Sequence, residues 1–271
     1  MMKSRIFVAV VGVPVILLVI LWAPVWVLAA ALAVLAAIAG WELMQCVGAG
    51  EERGLCALAL GGAGWHMLGA YLGDGLPGGG LALLALVLAV FFLAVYRAGA
   101  VQFRHICAAL AAMLLIPYAF SAFLRLDAAG YHRAFLLLPL LFSFASDSGA
   151  FFAGRALGRH KLAPKVSPHK TVEGAVGGLA GNVVGGVAFA LVMNLALGHS
   201  ISYLGIALLG LFCSVVAQLG DLTFSLIKRE FGIKDYGRIF LAHGGVLDRF
   251  DSVIFVAPVL AVLLPLAHFV S

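Results

Sequence analysis

Long apolar runs broken by short polar segments dominate this chain from one end to the other. The runs lie at about 6–23, 25–41, 54–73, 81–96, 105–124, 134–153, 172–197, 201–220 and 252–270. A bilayer core about 30 Å thick takes about 20 apolar residues per helical crossing. Backbone N–H and C=O groups find no partners in lipid, so each run must satisfy them within a helix. The pattern predicts an all-α, polytopic integral membrane protein of about nine transmembrane helices, with no soluble domain between them. Lys3 and Arg5 precede the first run as in a secretory signal, but the run passes Pro24 into more apolar sequence. An uncleaved first helix is the expectation.

Composition agrees with the pattern. Of 271 residues, 64% are hydrophobic and 11% charged, against about 25% charged in an ordinary soluble domain. Charge then adds an orientation. With nine spans and a cytoplasmic N-terminus, one side holds Lys3, Arg5, Arg53, Arg97, Arg104, Arg155, Arg159, Lys161, Lys165, Lys170, Lys228, Arg229, Lys234, Arg238 and Arg249. Only Arg125 and Arg133 of the 17 Lys and Arg fall on the other. Such asymmetry follows the positive-inside rule, and it sets the net charge of +5 against cytosolic anions or anionic headgroups. Cys46, Cys56, Cys107 and Cys213 lie in or beside apolar spans without Cys-x-x-Cys spacing. They are expected to be reduced packing residues and not a zinc site.

The single membrane domain divides in character near residue 140. Residues 1–140 form an apolar helical scaffold, whose Glu42, Glu51, Glu52, Asp74 and Asp127 sit at span ends or in loops and are expected to be solvated. Residues 141–271 carry the chemistry. Asp147 lies inside an otherwise apolar span and shares a polar, small-residue stripe with Ser143 and Gly154; a carboxylate at membrane depth is a functional hypothesis by default. The loop that follows packs Arg155, Arg159, His160, Lys161, Lys165, His169 and Lys170 into sixteen residues. Ser167-Pro168 reads as a helix start, with Ser as cap and Pro in the first turn, and Glu173 suits the dipole of a nearby helix N-terminus. Gly174 with Gly178, and Gly177 with Gly181 and Gly185, recur at four-residue spacing. That spacing predicts close helix packing, within the chain or across a homodimer.

The densest chemistry falls at 220–252. A helix from Gly220 to about Glu230 places Asp221, Ser225 and Lys228 on one face, since offsets of four and seven nearly coincide. Asp248 and Asp251 share a face at the start of the last span. Between them Gly232, Gly237, Gly244 and Gly245 allow the backbone to turn around a ligand. Carboxylates, Lys, Arg and Gly together suit a magnesium-bound polyphosphate. The alternative is a salt-bridge network, Asp248 with Arg249 and Asp235 with Lys234, holding a loop against the membrane.

Three blocks resemble the phosphatidate cytidylyltransferase (CDP-diglyceride synthetase) family. They are Asp147–Arg155, reading DSGAFFAGR; Ser167–Gly174, reading SPHKTVEG; and Ser225–Asp251, with Ser225-x-Ile227-Lys228-Arg229, Lys234-Asp235-x-Gly237 and His243-Gly244-Gly245-x-x-Asp248-Arg249-x-Asp251. The chain departs from the family pattern at Leu241-Ala242, where Pro-Gly is usual, at Phe151 for Tyr and at His169 for Lys. The resemblance implies transfer of CMP from CTP to phosphatidate, giving CDP-diacylglycerol and pyrophosphate. It also implies a bacterial cytoplasmic membrane with the site facing the cytoplasm. CTP, phosphatidate and membrane lipids are the expected partners, without nucleic acid. On that basis Asp221, Asp248 and Asp251 are the expected ligands of one or two Mg²⁺. Lys228, Arg229, Lys234, Asp235, His243 and Asp147 form the catalytic set, and Ser167, Lys170, Thr171, Ser225, Gly244, Gly245 and Arg249 contact substrate. An anion transporter would instead draw its site from two related halves near the midplane. A CDP-alcohol phosphotransferase would carry Asp-Gly-x-x-Ala-Arg, whereas Asp74-Gly75 is followed by Leu76-Pro77.

Overall fold

A computed structural model describes residues 12, 14–73, 78–237 and 244–266. Among these, eight helices are long and apolar enough to cross a membrane. Residues 14–22, within the first expected run, are helical as well. The chain divides into two compact units, residues 1–133 with 230–250, and residues 134–229 with 251–271. No disulfide joins the four cysteines, all of them among the described residues.

The first unit holds α1 (Val25–Cys46), α2 (Arg53–Leu72), α3 (Gly79–Tyr96), α4 (Phe103–Leu110) and α5 (Ile116–Ala128). A π-helical turn, Ala111–Leu115, joins the last two into one crossing. Pro117 explains the turn, because proline lacks an N–H and its ring crowds the carbonyl four residues back. The π turn is also a packing point. Gly40 of α1 faces Ala112, where an added Cβ would lie 3.1 Å from the Ala112 Cβ, and Gly62 of α2 leaves room for the Met113 side chain. Arg133 pairs with Asp127 at 3.0 Å and donates to the Ala23 carbonyl, so this expected non-cytoplasmic cation is spent on structure.

Glu42 corrects the sequence expectation for the scaffold. It is not a solvated span-end charge but is 3% exposed. Its Oε1 accepts from Val246 N at 3.0 Å and its Oε2 from Leu247 N at 2.8 Å. A hydropathy pattern cannot show that a distant segment folds back to supply those donors.

The second unit contains α6 (Leu138–Leu157), a short antiparallel hairpin of β1 (Lys161–Ala163) and β2 (Ser167–Thr171), α7 (Val172–Leu197) and α8 (Tyr203–Glu230). Residues 251–266 of α9 (Leu247–Leu266) complete it. Ser167-Pro168 does not start a helix. Residues 167–171 pair with β1 in the register Lys161 to Thr171 and Ala163 to Ser167. The fixed φ of Pro168 suits an extended edge as well as a helical turn. The cap is Thr171, extended at φ −124°, whose Oγ1 accepts from Gly174 N at 3.1 Å. Glu173 does sit in the first turn, and it accepts from the backbone N–H groups of Arg159 (3.0 Å) and His160 (3.2 Å).

Helices α6 and α7 meet backbone to backbone. An added Cβ on Gly149 would strike the Gly177 carbonyl, one on Gly174 would lie 2.9 Å from Ala150 O, and one on Gly181 2.5 Å from Ala145 O. The glycine stripe is thus consumed within the chain. Polar groups stitch α8 onto this pair. Ser146 and Ser214 share a 2.8 Å hydroxyl contact, and Asn182 Nδ2 donates to Gly210 O at 3.1 Å.

Candidate functional site

Close approach of α6 and α7 leaves a cavity of about 650 Å³ at the level of the hairpin, within the range of small-molecule sites. Asp147 and Arg155 of α6 line it, with His169, Lys170 and Thr171 of β2 and Gln218 and Asp221 of α8. The N-terminus of α7, at Thr171 and Gly174, opens into it as well. The positive end of a helix dipole favours anions, although Val172 N and Gly174 N already bond His160 O and Thr171 Oγ1.

Lys170 and Asp221, 51 residues apart, form an ion pair between Nζ and Oδ2. Ser225 Oγ donates to the other oxygen of Asp221 at 3.3 Å, as an offset of four along α8 expects. Gly220 allows α9 to approach beside it: an added Cβ would lie 2.9 Å from both Asp251 O and the Phe255 ring. Electrostatic interaction consequently links Asp251 to Asp221, Asp147 and Lys228, and Asp147 to Asp221 and Lys170. One end of this unit therefore concentrates three carboxylates and two ammonium groups beside a cavity.

Other expected residues take different places. Ser167 begins β2, and Arg229 Nε donates to the Val166 carbonyl at 3.3 Å, tying the end of α8 to the hairpin turn. Lys234 and Asp235 are exposed in the segment after α8, and Arg249 is exposed on the first turn of α9. Asp248 Oδ2 accepts from Tyr236 N at 2.7 Å and Gly245 N at 3.0 Å, so part of this carboxylate orders a turn. Gly244, at φ +82°, makes that turn. His243 lies outside the described residues, as do Arg238 and Leu241-Ala242.

Gln218 was not singled out from the sequence. Its Nε2 donates to Ala175 O at 3.1 Å and Ser214 Oγ at 3.2 Å while it lines the cavity. Its position three residues before Asp221, on the same face of α8, was the available signal.

The sequence profile described as the cytidylyltransferase family matches residues 3–267. The chain belongs to this family. Among curated cytidylyltransferases it is 43% identical over 136 residues to "Phosphatidate cytidylyltransferase" of Bacillus subtilis (strain 168), covering 50% of this chain and 49% of that protein. It is 43% identical over 130 residues to the protein of the same name from Staphylococcus saprophyticus, covering 48% of each. With that of Staphylococcus aureus (strain COL) it shares 35% identity over 182 residues, 67% of this chain and 68% of the other. The matched region is thus about half the length of the first two relatives and about two thirds of the third.

A cytidylyltransferase handles a polyphosphate, for which a divalent cation is the usual counter-ion. Among the described residues no three His, Cys, Asp or Glu side chains converge to hold an ion by themselves. The donor chemistry nevertheless fits Mg²⁺, which prefers hard oxygens and is commonly held by one or two carboxylates together with water and substrate phosphate. Asp221 and Asp251, with Asp147 beside them, supply such oxygens.

Proposed function

We propose that this chain is a CTP:phosphatidate cytidylyltransferase, making CDP-diacylglycerol and pyrophosphate at the cytoplasmic face of a bacterial cytoplasmic membrane. The observation that carries the reading is the cavity itself: Asp147, Lys170 and Asp221, from three separate blocks of sequence, meet around it at the N-terminus of α7. The names of the curated relatives support the substrates.

Phosphatidate already presents an anionic phosphate oxygen, so the chain need not supply a nucleophile. That oxygen attacks the α-phosphorus of CTP. One P–O bond forms, the bond from the α-phosphorus to the bridging oxygen breaks, and pyrophosphate leaves with the electron pair. The work left to the protein is alignment and charge neutralisation. Lys170 and Lys228 face the negative charge of the triphosphate and of the departing pyrophosphate, assisted by Arg155 and the positive dipole end of α7. For Lys170 this means leaving Asp221 for a phosphate oxygen. Asp221 and Asp251 would hold Mg²⁺, with Asp147 orienting or supplying a further oxygen; the ion neutralises phosphate charge when bound. Asp248 is proposed as a further ligand of the ion, Arg229, Lys234, Asp235 and His243 as further catalytic groups, and Ser167, Thr171, Ser225, Gly244, Gly245 and Arg249 as substrate contacts. Acyl chains remain in lipid, consistent with apolar side chains such as Phe152, Val176 and Leu226 exposed on this unit.

Purified protein in lipid nanodiscs, supplied with phosphatidate, Mg²⁺ and each of the four ribonucleoside triphosphates in turn, tests the reading. Pyrophosphate release with CTP alone is expected, with CDP-diacylglycerol as the lipid product. Release without phosphatidate, or equal release with all four nucleotides, overturns it.

A further inference from the structure

Glu42 lies near the end of α1, in the half of the sequence that resembles no catalytic motif. Its carboxylate is buried against the entry to α9, bonded to the N–H groups of Val246 and Leu247. Those donors belong to the start of a helix, where N–H groups lack intrahelical partners and the dipole favours a negative charge. A buried carboxylate is costly unless such bonds satisfy it.

The opposing backbone independently marks the same contact. An added Cβ on either Gly237 or Gly245 would run into the Glu42 carboxyl group. Glycine at both positions is what lets the carboxylate sit there. Asp248 grips the same turn from the other side through Tyr236 N and Gly245 N. Two carboxylates, one of them about 200 residues distant in sequence, therefore fix the segment that carries the Gly244–Asp248 motif.

We infer that Glu42 is a positioning residue for cytidylyl transfer: it holds the Gly244–Asp248 turn and the first turn of α9 in their working geometry without touching substrate. The inference rests on the proposed function for its kinetic consequence, and on the contacts above for its structural one. Misplacement of a catalytic segment by a distant substitution costs about a hundredfold in rate.

The test compares wild type, Glu42→Ala, Glu42→Gln, Gly245→Ala and the Glu42→Ala/Gly245→Ala double variant in nanodiscs. Hydrogen exchange of the 244–250 segment, thermal midpoint and pyrophosphate release are read on one preparation. Glu42→Ala is expected to speed exchange at Val246 and Leu247 while the other helices keep their protection. Its kcat should fall about a hundredfold with KM for CTP little changed, and Glu42→Gln, which retains one acceptor oxygen, should recover part of both. Gly245→Ala should cause a similar loss alone and little more when Glu42 is already Ala, because the group it collides with is gone. Unchanged exchange in Glu42→Ala, or full additivity in the double variant, overturns the inference. So does general loss of protection with normal kcat in the folded fraction, which is a purely structural role. A wild type that releases no pyrophosphate sinks the proposed reaction instead, and the exchange arm still decides whether Glu42 holds the turn.

Discussion

Lys228 and Arg53 show how position decides what a cation does. Lys228 interacts with Asp251 beside the cavity unit's carboxylates, whereas Arg53 is an exposed residue opening α2. Lys228→Ala should lower turnover about a hundredfold, corresponding to about 3 kcal/mol of transition-state stabilisation, with Arg53→Ala near wild type. Equal activity of the two at equal folded yield would remove Lys228 from the site. Asp251→Asn separates ligand from scaffold. It keeps the shape and removes a formal charge, so Mg²⁺ activation should shift to higher concentration while thermal stability holds. A wild-type activation curve in well-folded Asp251→Asn would end its assignment as a ligand. Residues of this kind were legible because they cluster in one contiguous charged block between apolar spans, with Asp221, Ser225 and Lys228 recurring on one helix face. Glu42 was not legible, since an acid near a span end looks solvated until a remote backbone is seen to meet it.

Between elements, the α6–α7 contact depends on hydrogen atoms where other residues carry side chains. Gly149→Ala should lower the thermal midpoint in detergent, because its methyl must displace the Gly177 carbonyl and a backbone cannot yield as a flexible side chain can. Gly64→Ala, in the middle of α2 with open space around the new Cβ, should be neutral or stabilising by about 0.5–1 kcal/mol. A similar rise in both would show that helix propensity, not packing, controls stability here. The four-residue glycine spacing made the close approach readable in advance. It did not reveal the partner, which the structure identifies as α6. The start of α7 was misread at Ser167, since Ser-Pro serves a strand edge as well as a helix cap. Pairing with β1, a tertiary choice, settled it for Thr171.

For the molecule as a whole, charge predicts the side of the membrane on which each loop lies. Fifteen of 17 basic residues share one side in a nine-span arrangement with the N-terminus inside. A reporter fused after Ser271 should therefore be active only on the non-cytoplasmic side, and cytoplasmic activity would overturn that topology. The sequence by itself determined the all-helical membrane class, the approximate length of each crossing and the family, because transfer into lipid acts on each run locally and motif blocks are contiguous. Only the tertiary structure decided which polar groups meet. Lys170 finds Asp221 and Glu42 finds the start of α9 across tens to hundreds of residues, because such pairings depend on which helix faces pack together, and no local pattern of hydrophobic and polar positions specifies that.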